Sequence, residues 1–171
     1  MSMRRMSAAL ALPALVLLAG CQAASAPAAV TAQQALLARG EYLVRIAGCN
    51  DCHTPGYPER AGDVPKQDWL VGAPLGHVGP WGTTYATNLR LKLAGMDEAT
   101  WMQYSVRLHT RPPMPDFNLR AMDAADRRAI FRFIRALGPA GQAAPAYLPP
   151  GQMPAPPYLQ LVLPPASPAA P

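Results

Sequence analysis

The chain has 171 residues and a formal net charge of +5, and half of its residues are hydrophobic. This length suggests one domain with additional segments rather than two full domains. Alanine supplies much of the hydrophobic fraction, and 21 prolines and 13 glycines interrupt the chain. A deep core of large apolar side chains is therefore hard to build, and a large apolar cofactor would relieve the shortage. The charge is too small to indicate a nucleic-acid partner, particularly because Arg4 and Arg5 lie in a segment expected to be removed.

The first 20 residues have the features of an export signal. A positively charged start precedes an apolar run, from about Ala8 to Leu18, that is too short for a permanent membrane span. The run ends in Leu-Ala-Gly-Cys21, which resembles the bacterial lipoprotein box. The resemblance implies that residues 1–20 are cleaved and that Cys21 is lipidated, whereas the alternative is a plain signal peptide that contains a cysteine. The same resemblance implies the outer rather than the inner membrane, because Gln22 stands where an aspartate would favour the inner one. Residues 21–32 are expected to form a small-residue tether.

Residues 33–138 are predicted to form the folded domain. Apolar spacing predicts helices over 33–49 and 97–108, and the segment between them is rich in Gly, Pro, Asp and Thr without periodicity. Some forty residues without regular structure are typical of a loop that wraps something. The tail, residues 139–171, has a Pro/Ala-rich composition that favours extended or disordered structure, although Pro157–Pro164 is apolar enough to lie on the domain.

The last helix of the domain has the clearest pattern. Apolar residues recur at helical spacing on one side, at Ile130, Phe133, Ile134 and Leu137. We expect Asp123 to cap this helix, with Asp126 placed almost as in a capping box, and Asp97 to cap the helix before it.

The sequence Cys49-Asn50-Asp51-Cys52-His53 has the C-x-x-C-H spacing of covalent haem attachment. Two thiols with two residues between them add across the two haem vinyl groups, and the following imidazole becomes the proximal iron ligand. A thioredoxin-like pair needs a βαβ context that is not apparent, and a zinc site needs four ligands with tetrahedral geometry. A Cys49–Cys52 disulfide would be small and strained. The motif therefore favours one covalent haem c, with His53 as an iron ligand.

A second axial ligand is expected downstream. Met114 is the preferred candidate, because the flanking prolines Pro113 and Pro115 would hold its sulfur rigidly just before the last helix. A methionine ligand raises the reduction potential relative to a second histidine. Other candidates are Met122, which is also suited to a hydrophobic staple, and the histidines His77 and His109.

These residues together resemble the monohaem class I cytochromes c, and in particular the cytochrome c subunits and modules of bacterial alcohol, aldehyde and sugar dehydrogenases. The similar stretches lie within 33–138: 39–45 leading into 49–54, then 82–89, then 112–117 and the last helix. The resemblance implies an all-α fold with helices packed around one haem and long wrapping loops. It also implies that the first and last helices cross, with Gly40 against Phe131 or Phe133. The loop residues Trp81, Tyr85 and Asn88 are expected near the haem and its propionates.

The expected function is electron transfer on the periplasmic side of a membrane, by an anchored carrier rather than an enzyme. Its partners would be redox proteins: a dehydrogenase, an oxidase or another cytochrome. One alternative is a haem-based gas sensor or small peroxidase with an open sixth position. Another is a haem-free lipoprotein whose Pro-rich tail binds a partner.

Overall fold

The structure, a computed structural model, describes residues 25–161. Within this range the chain forms six α-helices and a small sheet of three strands. The helices are α1 (Ser25–Ile46), α2 (Cys49–His53), α3 (Leu89–Ala94), α4 (Glu98–Arg107), α5 (Asp116–Ala121) and α6 (Ala124–Leu137). The strands are β1 (Gly76–Gly79), β2 (Gly82–Tyr85) and β3 (Tyr158–Gln160).

The first helix is longer than the sequence pattern predicts. It begins at Ser25 rather than Gln33, so residues 25–32, which were expected to form a small-residue tether, are helical. Alanines dominate this added part and favour the helix. The expected signal segment 1–20 and Cys21 lie outside the described residues. No helix within 25–161 is long and apolar enough to span a membrane.

The sheet corrects the prediction of an all-α domain, of which only the helix-rich character is confirmed. Strands β1 and β2 form an antiparallel hairpin with His77 opposite Thr84, and β3 adds to the other side of β1 in parallel. Residues 54–95, expected to lack regular structure, thus contain the hairpin, a short 3-10 turn and α3. Strands of four residues are too short to show a clear alternating pattern in a sequence.

Helices α1 and α6 cross in close contact at Gly40. A Cβ atom at this position would lie 2.1 Å from the carbonyl oxygen of Ala129 and 2.6 Å from Cβ of Phe133. The expected contact between Gly40 and an aromatic residue of the last helix is therefore confirmed, with Phe133 as the partner. Arg39 and Asp126 join the same two helices through two hydrogen bonds of 2.9 and 2.8 Å.

The predicted apolar side of α6 is buried, but its predicted cap is not formed. Ile130, Phe133 and Ile134 are each at most 5% exposed. Asp123 occupies the N-cap position without a side-chain capping bond, and Asp126 pairs with Arg39 instead of closing a capping box. The Asp97 prediction is confirmed, since its carboxylate accepts a hydrogen bond from the backbone N–H of Thr100 at 2.7 Å.

Two arginines connect α3 and α6 at their carboxyl ends. The guanidinium of Arg90, on α3, is buried and donates to the carbonyl oxygens of Leu137 and Gly138 at the end of α6 and to that of Gln67. Arg135, on α6, donates in return to the carbonyls of Leu93 and Ala94. A positive charge is favourable at both helix ends, because their carbonyls lack intrahelical partners.

The described part of the tail, 139–161, is packed on the domain. Asn88 donates to the carbonyls of Ala140 and Gln142, Leu148 and Thr83 exchange two backbone hydrogen bonds, and β3 then pairs with β1. The absence of helix in 139–161 agrees with the expected extended tail. The apolar segment Pro157–Pro164, which was expected to lie on the domain, contains β3. Of the two alternatives, extended or disordered, this part takes the extended one, and hydrogen bonds hold it to the domain at three points.

Candidate functional site

A cavity of about 420 Å³ lies between the helices, the hairpin and the tail. Its volume is in the range of sites for small organic cofactors, about 300–1,000 Å³. Apolar side chains from α3, α4 and α6 form much of its wall, namely Leu89, Trp101, Tyr104, Ile130 and Ile134. Cys49, Cys52, His53 and Met114 line the same cavity. The structure therefore brings the predicted attachment motif and the predicted methionine to one site.

The attachment motif forms the short helix α2, which is fixed on both sides. Gly48 precedes it with a positive φ of 70°, a conformation that glycine adopts without strain. Thr54, which follows it, is 1% exposed; its hydroxyl donates to Oδ1 of Asn50 at 2.7 Å and accepts from the N–H of Leu70 at 2.8 Å. The backbone that carries the cysteines and the histidine is thus held by buried hydrogen bonds.

A hydrogen bond to one ring nitrogen fixes the orientation of His53. Its side chain is buried, and Nδ1 donates to the carbonyl oxygen of Thr87 at 2.7 Å. Burial lowers the pKa of this imidazole, although the hydrogen bond to Thr87 acts in the opposite direction. A neutral imidazole that donates from Nδ1 keeps the lone pair of Nε2 for a metal, which is the arrangement found around histidine ligands.

The two cysteines are free thiols of low acidity. Cys49 is half-buried, Cys52 is exposed, and no disulfide joins them. Burial raises the pKa of the Cys49 thiol to about 11, and burial also raises the pKa of the Cys52 thiol. Thiols that react as redox centres have a lowered pKa instead. This environment does not favour thioredoxin-like chemistry.

Comparison of the chain with family models, with curated proteins and with solved structures finds no match. Assignment of the site rests therefore on its own residues. Within residues 25–161, no three His, Cys, Asp or Glu side chains lie together as a metal-binding cluster.

The loop that carries Met114 connects α4 to α5. Met114 is half-buried, and its carbonyl accepts from the N–H of Asp116 at 2.9 Å. Asp116 is buried and receives hydrogen bonds from Thr110 and Arg120, which close the base of the loop. Burial alone would raise the pKa of this carboxyl, but the bonds from Thr110 and Arg120 lower it below its usual value. Met114 is thus presented to the cavity from a loop with a fixed base.

Of the three loop residues expected near the cofactor, only Tyr85 lines the cavity. Asn88 does not: its amide caps α3 by accepting from Leu91 and donates to two carbonyls of the tail, so every part of it has a structural partner. Trp81 does not line it either, because its indole packs over Gly79 in the hairpin turn. Its Nε1 is buried and has no hydrogen-bond partner among residues 25–161.

The other candidate axial ligands also line the cavity. Met122, His77 and His109 all contribute to its wall, so cavity lining does not separate them from Met114. Burial lowers the pKa of His77.

Sequence reasoning missed three contributors to the site. The Thr87 carbonyl gives no signal in the sequence, because every residue has a backbone carbonyl. Tyr147 was missed because it lies in a tail whose composition favours extended or disordered structure. Arg111 also lines the cavity. Its charge, three positions before Met114 in the sequence, is a signal from which it could have been predicted as a site residue.

Proposed function

We propose that this protein is a c-type cytochrome that transfers single electrons. The observation that carries the proposal is that Cys49, Cys52, Met114 and His53, whose Nδ1 is hydrogen-bonded to Thr87, line one cavity. Two cysteines and a histidine at this spacing suit covalent haem attachment. The donor set of one imidazole and one thioether suits an iron centre that carries electrons.

Each of these residues would contribute a different bond to the haem. Cys49 and Cys52 would attach it through thioether bonds, His53 would offer Nε2 to the iron, and Met114 would offer its sulfur as a second ligand. When bound, haem supplies an iron that alternates between the ferric and ferrous states. The Thr87 carbonyl holds the His53 ring in one orientation, and Trp101, Ile130 and Ile134 give the cavity an apolar wall.

The same proposal includes the class I cytochrome c fold and the cellular setting. The crossing of α1 and α6 at Gly40 and the helix-rich wall of the cavity support the fold. The expected lipoprotein signal, with Cys21 acylated, would place the carrier at the periplasmic face of a membrane, favouring the outer one. Its redox partners, a dehydrogenase, an oxidase or another cytochrome, would dock transiently through a small interface.

The test compares optical spectra of the wild type with those of Met114→Ala, produced in a host that attaches haem to C-x-x-C-H sequences. We expect a low-spin haem with a sulfur-to-iron charge-transfer band in the wild type, and a high-spin haem without the band in Met114→Ala. Met153→Ala is the matched control, because Met153 is 61% exposed and does not line the cavity. It should keep the wild-type spectrum.

Other outcomes point elsewhere. A high-spin wild type would favour the gas sensor or peroxidase with an open sixth position. A band that survives Met114→Ala but disappears in Met122→Leu would move the ligand to Met122, and a low-spin haem without any sulfur band would implicate His77 or His109. A chain purified without covalent haem would contradict the proposal altogether.

A further inference from the structure

The loop that carries Met114 depends on contacts outside itself. Three of its residues, Pro112, Pro113 and Pro115, have no backbone N–H to donate. Asp116 closes the loop at its base, whereas the outer part contacts β2 and the tail. On the β2 side, the hydroxyl of Thr84 donates to the carbonyl of Pro112 at 2.7 Å.

On the tail side, the contact is made by Tyr147. The guanidinium carbon of Arg111 lies 3.8 Å from the centre of the Tyr147 ring, a cation–π distance. The Tyr147 hydroxyl donates to the carbonyl of Trp81 at 2.9 Å, in the hairpin turn. Arg111 and Tyr147 both line the cavity, as Met114 does.

Tyr147 is itself held by its neighbour in sequence. Leu148 exchanges hydrogen bonds of 2.8 and 3.1 Å with Thr83 of β2. Gly82 allows this approach, since a Cβ atom there would lie 2.2 Å from the carbonyl oxygen of Leu148. The ring under Arg111 is thus anchored to the hairpin through its hydroxyl and through the next residue.

We propose that Tyr147 is a positioning residue that fixes the Met114 loop against the cavity, so that the tail controls how firmly the thioether stays on the iron. The inference rests on the proposed function for its consequence at the iron. The contact between the tail and the loop is independent of it. Loss of the ring frees Arg111 and loosens the outer part of the loop. The base at Asp116 stays closed.

Imidazole binding to the ferric protein measures the loosening, because an added ligand enters only when Met114 is off the iron. The apparent dissociation constant varies inversely with the fraction of such open molecules. Tyr147→Leu loses the hydroxyl bond and the cation–π contact and should bind imidazole about tenfold more tightly. Tyr147→Phe keeps the ring and should show a smaller gain. Arg111→Gln, at an exposed position, should gain about threefold and serves if Tyr147→Leu fails to fold.

The control is Tyr158→Leu, which removes a tyrosine from the same tail at β3, on the side of β1 opposite to β2, the strand that contacts the loop. Its imidazole affinity should match that of the wild type. Equal affinities in wild type, Tyr147→Leu and Arg111→Gln would overturn the proposal, as would an equal gain in Tyr158→Leu, because that gain would reflect general loosening of the tail.

Amide hydrogen exchange over residues 108–117 tests the contact without any use of haem. Exchange should be about tenfold faster in Tyr147→Leu than in Tyr158→Leu, and equal rates would overturn the proposal. If the wild type carries no haem, the proposed function fails while this comparison still decides whether Tyr147 holds the loop.

Discussion

The hydroxyl of Thr54 links helix α2 to the loop that follows it. It donates to Asn50 within the helix and accepts from the N–H of Leu70. Leu70 is fully buried and has a positive φ of 61°, which is unfavourable for a residue with a side chain. The carbonyl of Leu70 accepts from Leu89 at the start of α3. The Thr54 side chain therefore stabilises Leu70 in its positive-φ conformation, and hydrogen bonds to Leu70 connect the end of α2 with the start of α3.

Thr54→Val keeps the shape of the side chain and removes both hydrogen bonds. Because the Leu70 N–H would remain buried without a partner, we expect the free energy of unfolding to fall by about 2 kcal/mol. Urea denaturation of the holoprotein measures the loss. Thr87→Val is the matched control, since the Thr87 side chain is exposed and its carbonyl, which holds His53, is retained. Equal stability of the two variants would show that the Thr54 hydroxyl is not needed.

At the scale of single residues, the sequence predicts those site residues whose chemical role follows from their spacing along the chain. Cys49, Cys52 and His53 are adjacent in the chain, so their meeting at one cavity needs only a short helix. The prolines around Met114 favour it as the second ligand, whereas the cavity lining also includes Met122, His77 and His109. Asn88 and Trp81 were assigned by resemblance, and their positions depend on tertiary partners, the tail carbonyls and Gly79, that no local pattern encodes.

Among the elements, the crossing of α1 and α6 depends on the lack of a side chain at Gly40. Any Cβ atom would overlap the Ala129 carbonyl, a backbone atom that cannot rotate away. The two helices would have to separate, and the Arg39–Asp126 pair that joins them would be stretched. Glycine costs the helix about 1 kcal/mol in propensity, which close packing has to offset.

Gly40→Ala should therefore destabilise the protein, by about 2 kcal/mol, despite the better helix propensity of alanine. The measurement is again the denaturant midpoint. Gly95→Ala is the control, because a Cβ atom there meets nothing closer than 3.8 Å and the position has no positive φ. It should stay within about 0.5 kcal/mol of the wild type. A stable Gly40→Ala would mean that the helices pack less closely than described.

Long elements were easier to predict than short ones. The apolar spacing of α6 is sustained over several turns, and its buried side was predicted correctly. Strands β1, β2 and β3 have three or four residues each, and β3 pairs with a strand some eighty positions earlier in the chain. Such pairing is decided by tertiary contacts rather than by local propensity.

For the whole molecule, the cavity limits the stability that the polypeptide can reach without a bound group. Core residues such as Trp101, Ile130 and Ile134 face it, so a filled cavity supplies packing contacts that the side chains lack among themselves. When the cavity is empty, these side chains lose packing partners on one side, and the dispersion contacts on that side are lost.

The proposed haem should thus be required for a cooperative fold. In the double variant Cys49→Ser, Cys52→Ser, which cannot attach it, we expect helical far-UV circular dichroism with weak near-UV signals and a broad thermal transition. Cys52→Ser is the matched control: it loses one thiol but keeps the Cys49 bond and should unfold cooperatively. If the double variant, purified without haem, melted as sharply and as high as the wild type, haem would not be required for the cooperative fold.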